Sequence, residues 1–299
     1  MGDVGPVADA PSTFARLRLA LEMIRFSHSV FALPFALLAL VLAAGGVPPA
    51  RTIGLVLLAM VAARSAAMAF NRLADRRFDA KNPRTAARHL VTGSISVPFA
   101  WAFTVVCVAI FVGAAAMLNR TALALSPVVL AVLLGYSYLK RFTAAAHFGV
   151  GLALGLSPLG AWIAGAGGLE GDLRIPILLG LAVSLWVAGF DVIYACQDAE
   201  VDRREGLHSI PAKIGVPAAL RVAALLHVVC IGAFVAVAPL AGLRWPYLAA
   251  VGVAAALLTY EHAIVSPADL TRVNVAFFNV NGIVALLVGA AGIADRLVG

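Results

Sequence analysis

The sequence predicts an all-α polytopic membrane protein, a bundle of nine transmembrane helices around a central cavity. Three observations carry this reading. Of 299 residues, 62% are hydrophobic and 12% charged, with a mean hydropathy of +0.98, whereas a water-soluble domain carries about a quarter charged residues. Apolar windows of about twenty residues recur along the chain, the length that ~30 Å of hydrocarbon demands at ~1.5 Å per helical residue. Basic residues gather in alternate connections, as the positive-inside rule requires of a spanning chain. The same composition excludes disulfide-framed secreted scaffolds and disordered chains. Cys107, Cys196 and Cys230 fall in or beside apolar runs without CxxC spacing, so they read as small packed residues and neither as bridges nor as zinc ligands.

Taken in order, residues 1–21 read as an N-terminal tail and 22–299 as a single domain. The opening MGDVGPVADAPS lacks the basic, apolar, small-residue order of a signal peptide. The spans are 28–46, 53–70, 97–117, 121–139, 146–166, 175–196, 217–239, 245–263 and 275–294. Small residues from Gly149 to Gly168 mark the fifth as a close helix contact. One set of connections holds sixteen basic residues, including Arg25, Arg72, Arg76, Arg84, Arg88, Lys140, Arg141, Arg203 and Arg272, and the other set holds five. That places the N-terminus in the cytoplasm and the C-terminus outside. The net charge of +7 is thereby explained by lipid topology, with no nucleic acid as partner. A weak parallel repeat of about 123 to 124 residues matches Pro34 to Pro158, Asp75 and Asp79 to Asp198 and Asp202, and Tyr136 to Tyr260.

Two acidic segments carry the chemistry. In the first, Asn71, Asp75 and Asp79 are spaced by four residues at the end of helix 2, which aligns them along one helical face. In the second, Asp191, Asp198 and Asp202 fall at i, i+7 and i+11 with Tyr194 and Gln197 beside them. A helix end leaving lipid also becomes polar, but two such segments at equivalent repeat positions are harder to dismiss. Asp191 follows the apolar run from Ile175 to Phe190, where a carboxylate costs ~2.5 to 3.5 kcal/mol. Facing carboxylates that offer only oxygen suit Mg²⁺, which completes its octahedron with substrate phosphates. Arg72, Arg76, Arg84, Arg88, Lys140, Arg141 and Arg203 then read as phosphate partners, although topology alone accounts for many of them. The implied ligand has an anionic head and a greasy tail. None of the six histidines forms an HxxxH or HExxH pattern, so they read as packing or interfacial residues.

The segments NRLADRRFDAKNPRTAARHLVTGSIS, YSYLKRFT and YACQDAEVDRREGLHSIPAKIG resemble the three signature regions of the UbiA superfamily of intramembrane prenyltransferases, over nearly the whole chain. They are nearest to the 4-hydroxybenzoate polyprenyltransferases and their relatives on the futalosine route to menaquinone. The resemblance implies Mg²⁺ and a polyprenyl diphosphate held by Asn71, Asp75, Asp79, Asp198 and Asp202, with the tail in a channel open to lipid. It implies that Lys140 and Arg141 contact diphosphate or the aromatic acid, and that Arg25 lies near the aromatic pocket. Arg72 stands where the family's first motif usually has a second acid, and Arg88-His89-Leu90 where Arg-Pro-Leu is usual. Those departures touch the metal geometry and the acceptor, which is 4-hydroxybenzoate or a naphthoate-type acid.

The expected reaction is ionisation of the allylic diphosphate and attack by an electron-rich ring in a cavity that excludes water. Asp191 is expected to bind the phenol or take the ring proton, with structural pairing to an Arg as the competing reading. A secondary transporter would also be all-helical with intramembrane acids. Its carboxylates, however, belong at mid-membrane, and here they cluster at helix ends.

Overall fold

The computed structural model describes Glu22 and residues 31–299. Arg25 and the start of the first expected span lie outside the described residues. The long helices are α1 (Leu33–Ala44), α2 (Ala50–Asp79), α3 (Val97–Leu118), α4 (Arg120–Leu139), α5 (Ala146–Ala166), α6 (Arg174–Ala195), α7 (Val216–Ala241), α8 (Trp245–Ile264) and α9 (Asn281–Val298). Eight of the described helices, α2 to α9 with their short extensions, are long and apolar enough to cross a membrane, while α1 shows 12 apolar residues. Val105, Val128, Leu225 and Val228 are each 60% or more exposed, which water would penalise and lipid does not. The protein is integral to a membrane.

Two spans differ instructively from the sequence expectation. The second was expected over 53–70, but α2 runs 30 residues to Asp79, about 45 Å at helical rise. It outreaches the hydrocarbon and carries Asn71, Asp75 and Asp79 on continuous helix beyond it. The sixth is not uniform α-helix to Asp202. A 3₁₀ turn at Cys196–Asp198 interrupts it, and a short α-helix, Ala199–Arg204, follows.

Connections are tight because polar side chains satisfy the helix ends. Asn119 ends α3 and caps α4, its Oδ1 accepting from Ala122 N at 2.8 Å while its Nδ2 donates to Ile163 O at 2.9 Å. Helices α5 and α6 meet across glycines. A Cβ on Gly151 would strike the Ser184 carbonyl, and one on Gly155 would strike Gly180 O and Ser184 Oγ, so only glycine permits this separation. The aromatic centre of the core stacks Phe35 on Phe234 at 5.2 Å, with Trp186 edge-on to Phe35 at 5.5 Å.

A π-helical turn, Val275–Val280, precedes α9. Wider turns free carbonyls, and Asn281 Nδ2 donates to Ala276 O and to Glu261 Oε1, both at 3.0 Å. Trp186 Nε1 donates to Asn281 Oδ1 at 2.6 Å. This network ties α6, α8 and α9 in the half of the bundle away from α2.

Candidate active site

The end of α2, the loop after it, the end of α4 and the broken extension of α6 enclose a polar chamber of about 120 Å³. Asn71, Asp75, Asp79, Arg84, Arg88, Lys140, Asp198 and Asp202 all line it. The helical i, i+4 spacing places the first three on one wall. Asp75 and Asp79 are 3% and 6% exposed, a burial that carboxylates tolerate only with partners.

Each has a cation. Lys140 Nζ donates to Asp75 Oδ2 at 2.6 Å, and Asn71 Nδ2 reaches the same oxygen at 3.2 Å. Arg88 Nη1 grips both oxygens of Asp79, at 2.6 and 2.7 Å. Across the chamber Arg84 makes a two-pronged pair with Asp198, Nε lying 2.8 Å from Oδ1 and Nη2 on Oδ2. Asn82 Nδ2 joins Asp198 Oδ1 at 2.8 Å. The two acidic segments, expected to face one another, are therefore stitched together by the loop between α2 and α3, and Lys81 with Glu205 adds a second stitch at 2.5 Å. Arg84 Nη1 also donates to Tyr194 Oη at 2.6 Å and its guanidinium lies 4.8 Å from the ring centroid. Burial alone would lower the pKa of Arg84, but these bonds to Asp198 and Tyr194 outweigh it and raise the pKa above its ordinary value.

Other expected site residues lie beside the chamber and do not line it. Arg141 Nη2 donates to Ala74 O at 2.6 Å, with its guanidinium near the rings of Tyr138 and Phe78. Arg203 Nε donates to Ala212 O at 3.3 Å, away from the chamber. Asp191 pairs with a histidine, and not with an arginine as the competing reading had it: His147 Nδ1 lies 2.7 Å from Asp191 Oδ2. Sequence reasoning missed His147, Asn82, Thr85 and Glu205. For Asn82 a signal existed, since Asn-Pro after a helix end marks a turn, whereas His147 has no spacing partner.

An apolar chamber of about 360 Å³ lies between α1, α2, α3, α4 and α5. Helix α2 lends it Ala67 and Met68, and α4 lends it Tyr136. From Met68 to Asn71 is one helical turn, about 4.5 Å of rise, so the apolar chamber begins where the polar one ends. Arg64 also lines it, its Nε buried without a hydrogen-bond partner.

The residues suit a hard divalent cation. The donors are carboxylate and amide oxygens, and Asp75 Oδ1 is buried with no hydrogen-bond partner, an orphan acceptor aligned with that use. With Lys140, Arg84 and Arg88 seated on the carboxylates, no three His, Cys, Asp or Glu among the described residues converge closely enough to hold an ion. Those cations are the groups that a phosphate would draw away.

Comparison with known proteins places this architecture. A model of the UbiA prenyltransferase family matches residues 32–283. A 4-hydroxybenzoate octaprenyltransferase of Xanthomonas campestris pv. campestris is 35% identical over 265 residues, 86% of this chain and 85% of that protein. One of Pseudomonas aeruginosa is 36% identical over 174 residues, so the match spans 58% of that relative's length. An apo structure of a UbiA homolog from Aeropyrum pernix K1 superposes with a TM-score of 0.81 at 37% identity, covering 90% of this chain and 98% of that one. A UbiA homolog from Archaeoglobus fulgidus bound to GPP and Mg²⁺ shares the fold, with a TM-score of 0.66, 22% identity, and coverage of 93% and 99%. With its fold, its paired acidic segments and its matched length all in agreement, this chain belongs to the UbiA prenyltransferase family.

Proposed function

We propose that the protein transfers a polyprenyl group from an isoprenoid diphosphate to an aromatic acid, 4-hydroxybenzoate foremost, in quinone biosynthesis. One observation carries this: a polar chamber walled by carboxylates and cations lies within one helical turn, along α2, of an apolar chamber. That is the complement of a molecule with a diphosphate head and a hydrocarbon tail. The names of the relatives and the Mg²⁺ and GPP of the Archaeoglobus homolog support the reading.

Asn71, Asp75, Asp79, Asp198 and Asp202 would hold Mg²⁺. When bound, the ion screens charge building on the leaving diphosphate. Lys140, Arg84 and Arg88 turn from their carboxylates to phosphate oxygens, and Tyr194 keeps Arg84 at the rim. The apolar walls from α2, α3, α4 and α5 exclude the water that would capture an allylic cation. Lys140 and Arg141 would contact the diphosphate or the acid group of the acceptor, Arg25 is expected near the aromatic pocket, and Arg203, bonded to the Ala212 carbonyl, would need to turn to reach a phosphate.

The chain spans the membrane nine times, with the chamber on the cytoplasmic face, the C-terminus outside, and the two halves related as parallel repeats. A naphthoate-type acceptor is the second reading, because Arg72 in the place of an acid leaves the acceptor open. Purified protein given a radiolabelled polyprenyl diphosphate with 4-hydroxybenzoate, a dihydroxynaphthoate and further aromatic acids should label one of them. Tight diphosphate binding without transfer to any would overturn the reading.

A further inference from the structure

His147 on α5 and Asp191 on α6 line neither chamber's recorded walls, yet their geometry is specific. His147 Nε2 accepts the backbone N–H of Ile210 at 3.2 Å, the first free donor of the short helix Ile210–Ile214. A ring nitrogen that accepts a backbone N–H bears no proton, so the imidazole is the Nδ1–H tautomer and donates to Asp191 Oδ2 at 2.7 Å. The histidine ring is buried, while the Asp191 side chain keeps 26% of its surface exposed. Among the described residues, His147 is the hydrogen-bond partner recorded for Asp191, and it engages one oxygen.

Position matters too. On α5 His147 precedes Leu152 and Ala153 of the apolar chamber by five and six residues, and Asp191 precedes Asp198 of the polar chamber by seven, about two helical turns, so the pair lies between the two chambers. A plain tether between α5 and α6 is not needed, because Gly151 and Gly155 already bring those helices into contact. Burying a polar pair for that purpose alone would cost desolvation.

We propose that His147 is a positioning residue that holds Asp191 aimed as acceptor of the ring proton, an inference that rests on the prenyl-transfer reading. The allylic C–O bond breaks and its electron pair leaves on the diphosphate. The ring carbon then bonds the allylic carbon. The C–H electron pair returns to the ring as the proton passes to Asp191 Oδ1, and from there to water.

The test uses full-length protein in lipid nanodiscs with a polyprenyl diphosphate and 4-hydroxybenzoate deuterated on the ring. His147→Leu should lower kcat by about tenfold to a hundredfold, the scale for losing a group that orients a functional one, with KM for the diphosphate unchanged. A primary deuterium isotope effect should appear in that variant and be absent in the wild type, because proton removal becomes rate-limiting. His147→Asn, whose amide can donate from the Nδ1 position, should recover part of the loss. Equal losses in both variants with no isotope effect would overturn the proposal and leave a tether. Wild-type protein that prenylates no aromatic acid would instead overturn the transfer reading and the proton-accepting role with it. The ¹⁵N spectrum of the imidazoles would then report separately on the pairing: one Nδ1–H histidine signal, shifted by Asp191→Asn, is expected. Its absence would remove the pairing too.

Discussion

At the scale of single residues, the chamber separates two kinds of contribution. Asp75 has one oxygen on Lys140 and Asn71 and the other buried without a partner, and Asp198 is claimed by Arg84 and Asn82. Under the proposed function both would hold Mg²⁺, whose charge counts most when negative charge develops on a departing phosphate. Asp75→Asn and Asp198→Asn should each depress kcat by roughly 10²-fold to 10³-fold, measured with the protein intact in the membrane. Arg141 is held by the Ala74 carbonyl and two rings, and under the proposed function it would meet the substrate before the chemistry. Arg141→Ala should therefore raise KM for the diphosphate or the aromatic acid and leave kcat nearly as it was. A matching loss of kcat would place Arg141 among the groups that act in the transition state.

At the scale of elements, the α5–α6 contact sets how closely the two halves of the site approach. Gly155→Val should overpack that seam by about 1 to 3 kcal/mol, lowering the thermal unfolding temperature in detergent. Gly160→Ala, on the same helix with nothing within 4 Å of the added carbon, should not. The seam was legible as small residues at helical spacing, as were the spans, because lipid imposes a length that composition reveals. The break after α6 was not. Cys196-Gln-Asp-Ala-Glu-Val-Asp202 contains no Gly or Pro, so nothing local announces the 3₁₀ turn that ends at Asp198. The pairing of Asp191 was equally hidden, since His147 reaches it from another helix at a separation of 44 residues. The i, i+4 alignment of Asn71, Asp75 and Asp79 was readable because it is a property of one helix. Their partners come from elsewhere in the chain and were readable only as charges of the right sign.

At the scale of the whole molecule, sidedness and metal dependence are the expectations to check. A reporter fused after Gly299 should lie outside and one inserted at Ala80 inside, in line with the distribution of basic residues. Finding both on one side would show that the number of spans between them is wrong by an odd number. Transfer should stop in excess EDTA and return with Mg²⁺ or Mn²⁺, and full turnover in the chelator would remove the metal from the site. The self-paired chamber has a consequence for traffic through it. Lys140 on Asp75, Arg88 on Asp79 and Arg84 on Asp198 make the protein's own carboxylates surrogates for the guest. An arriving diphosphate swaps partners with these surrogates and adds little net attraction. A departing pyrophosphate is displaced as each cation returns home, so the site clears itself. Entry then costs as many ion pairs as it gains, and KM for the diphosphate should change only gently as salt is raised. A steep salt dependence would mean that the cations wait unpaired between turnovers.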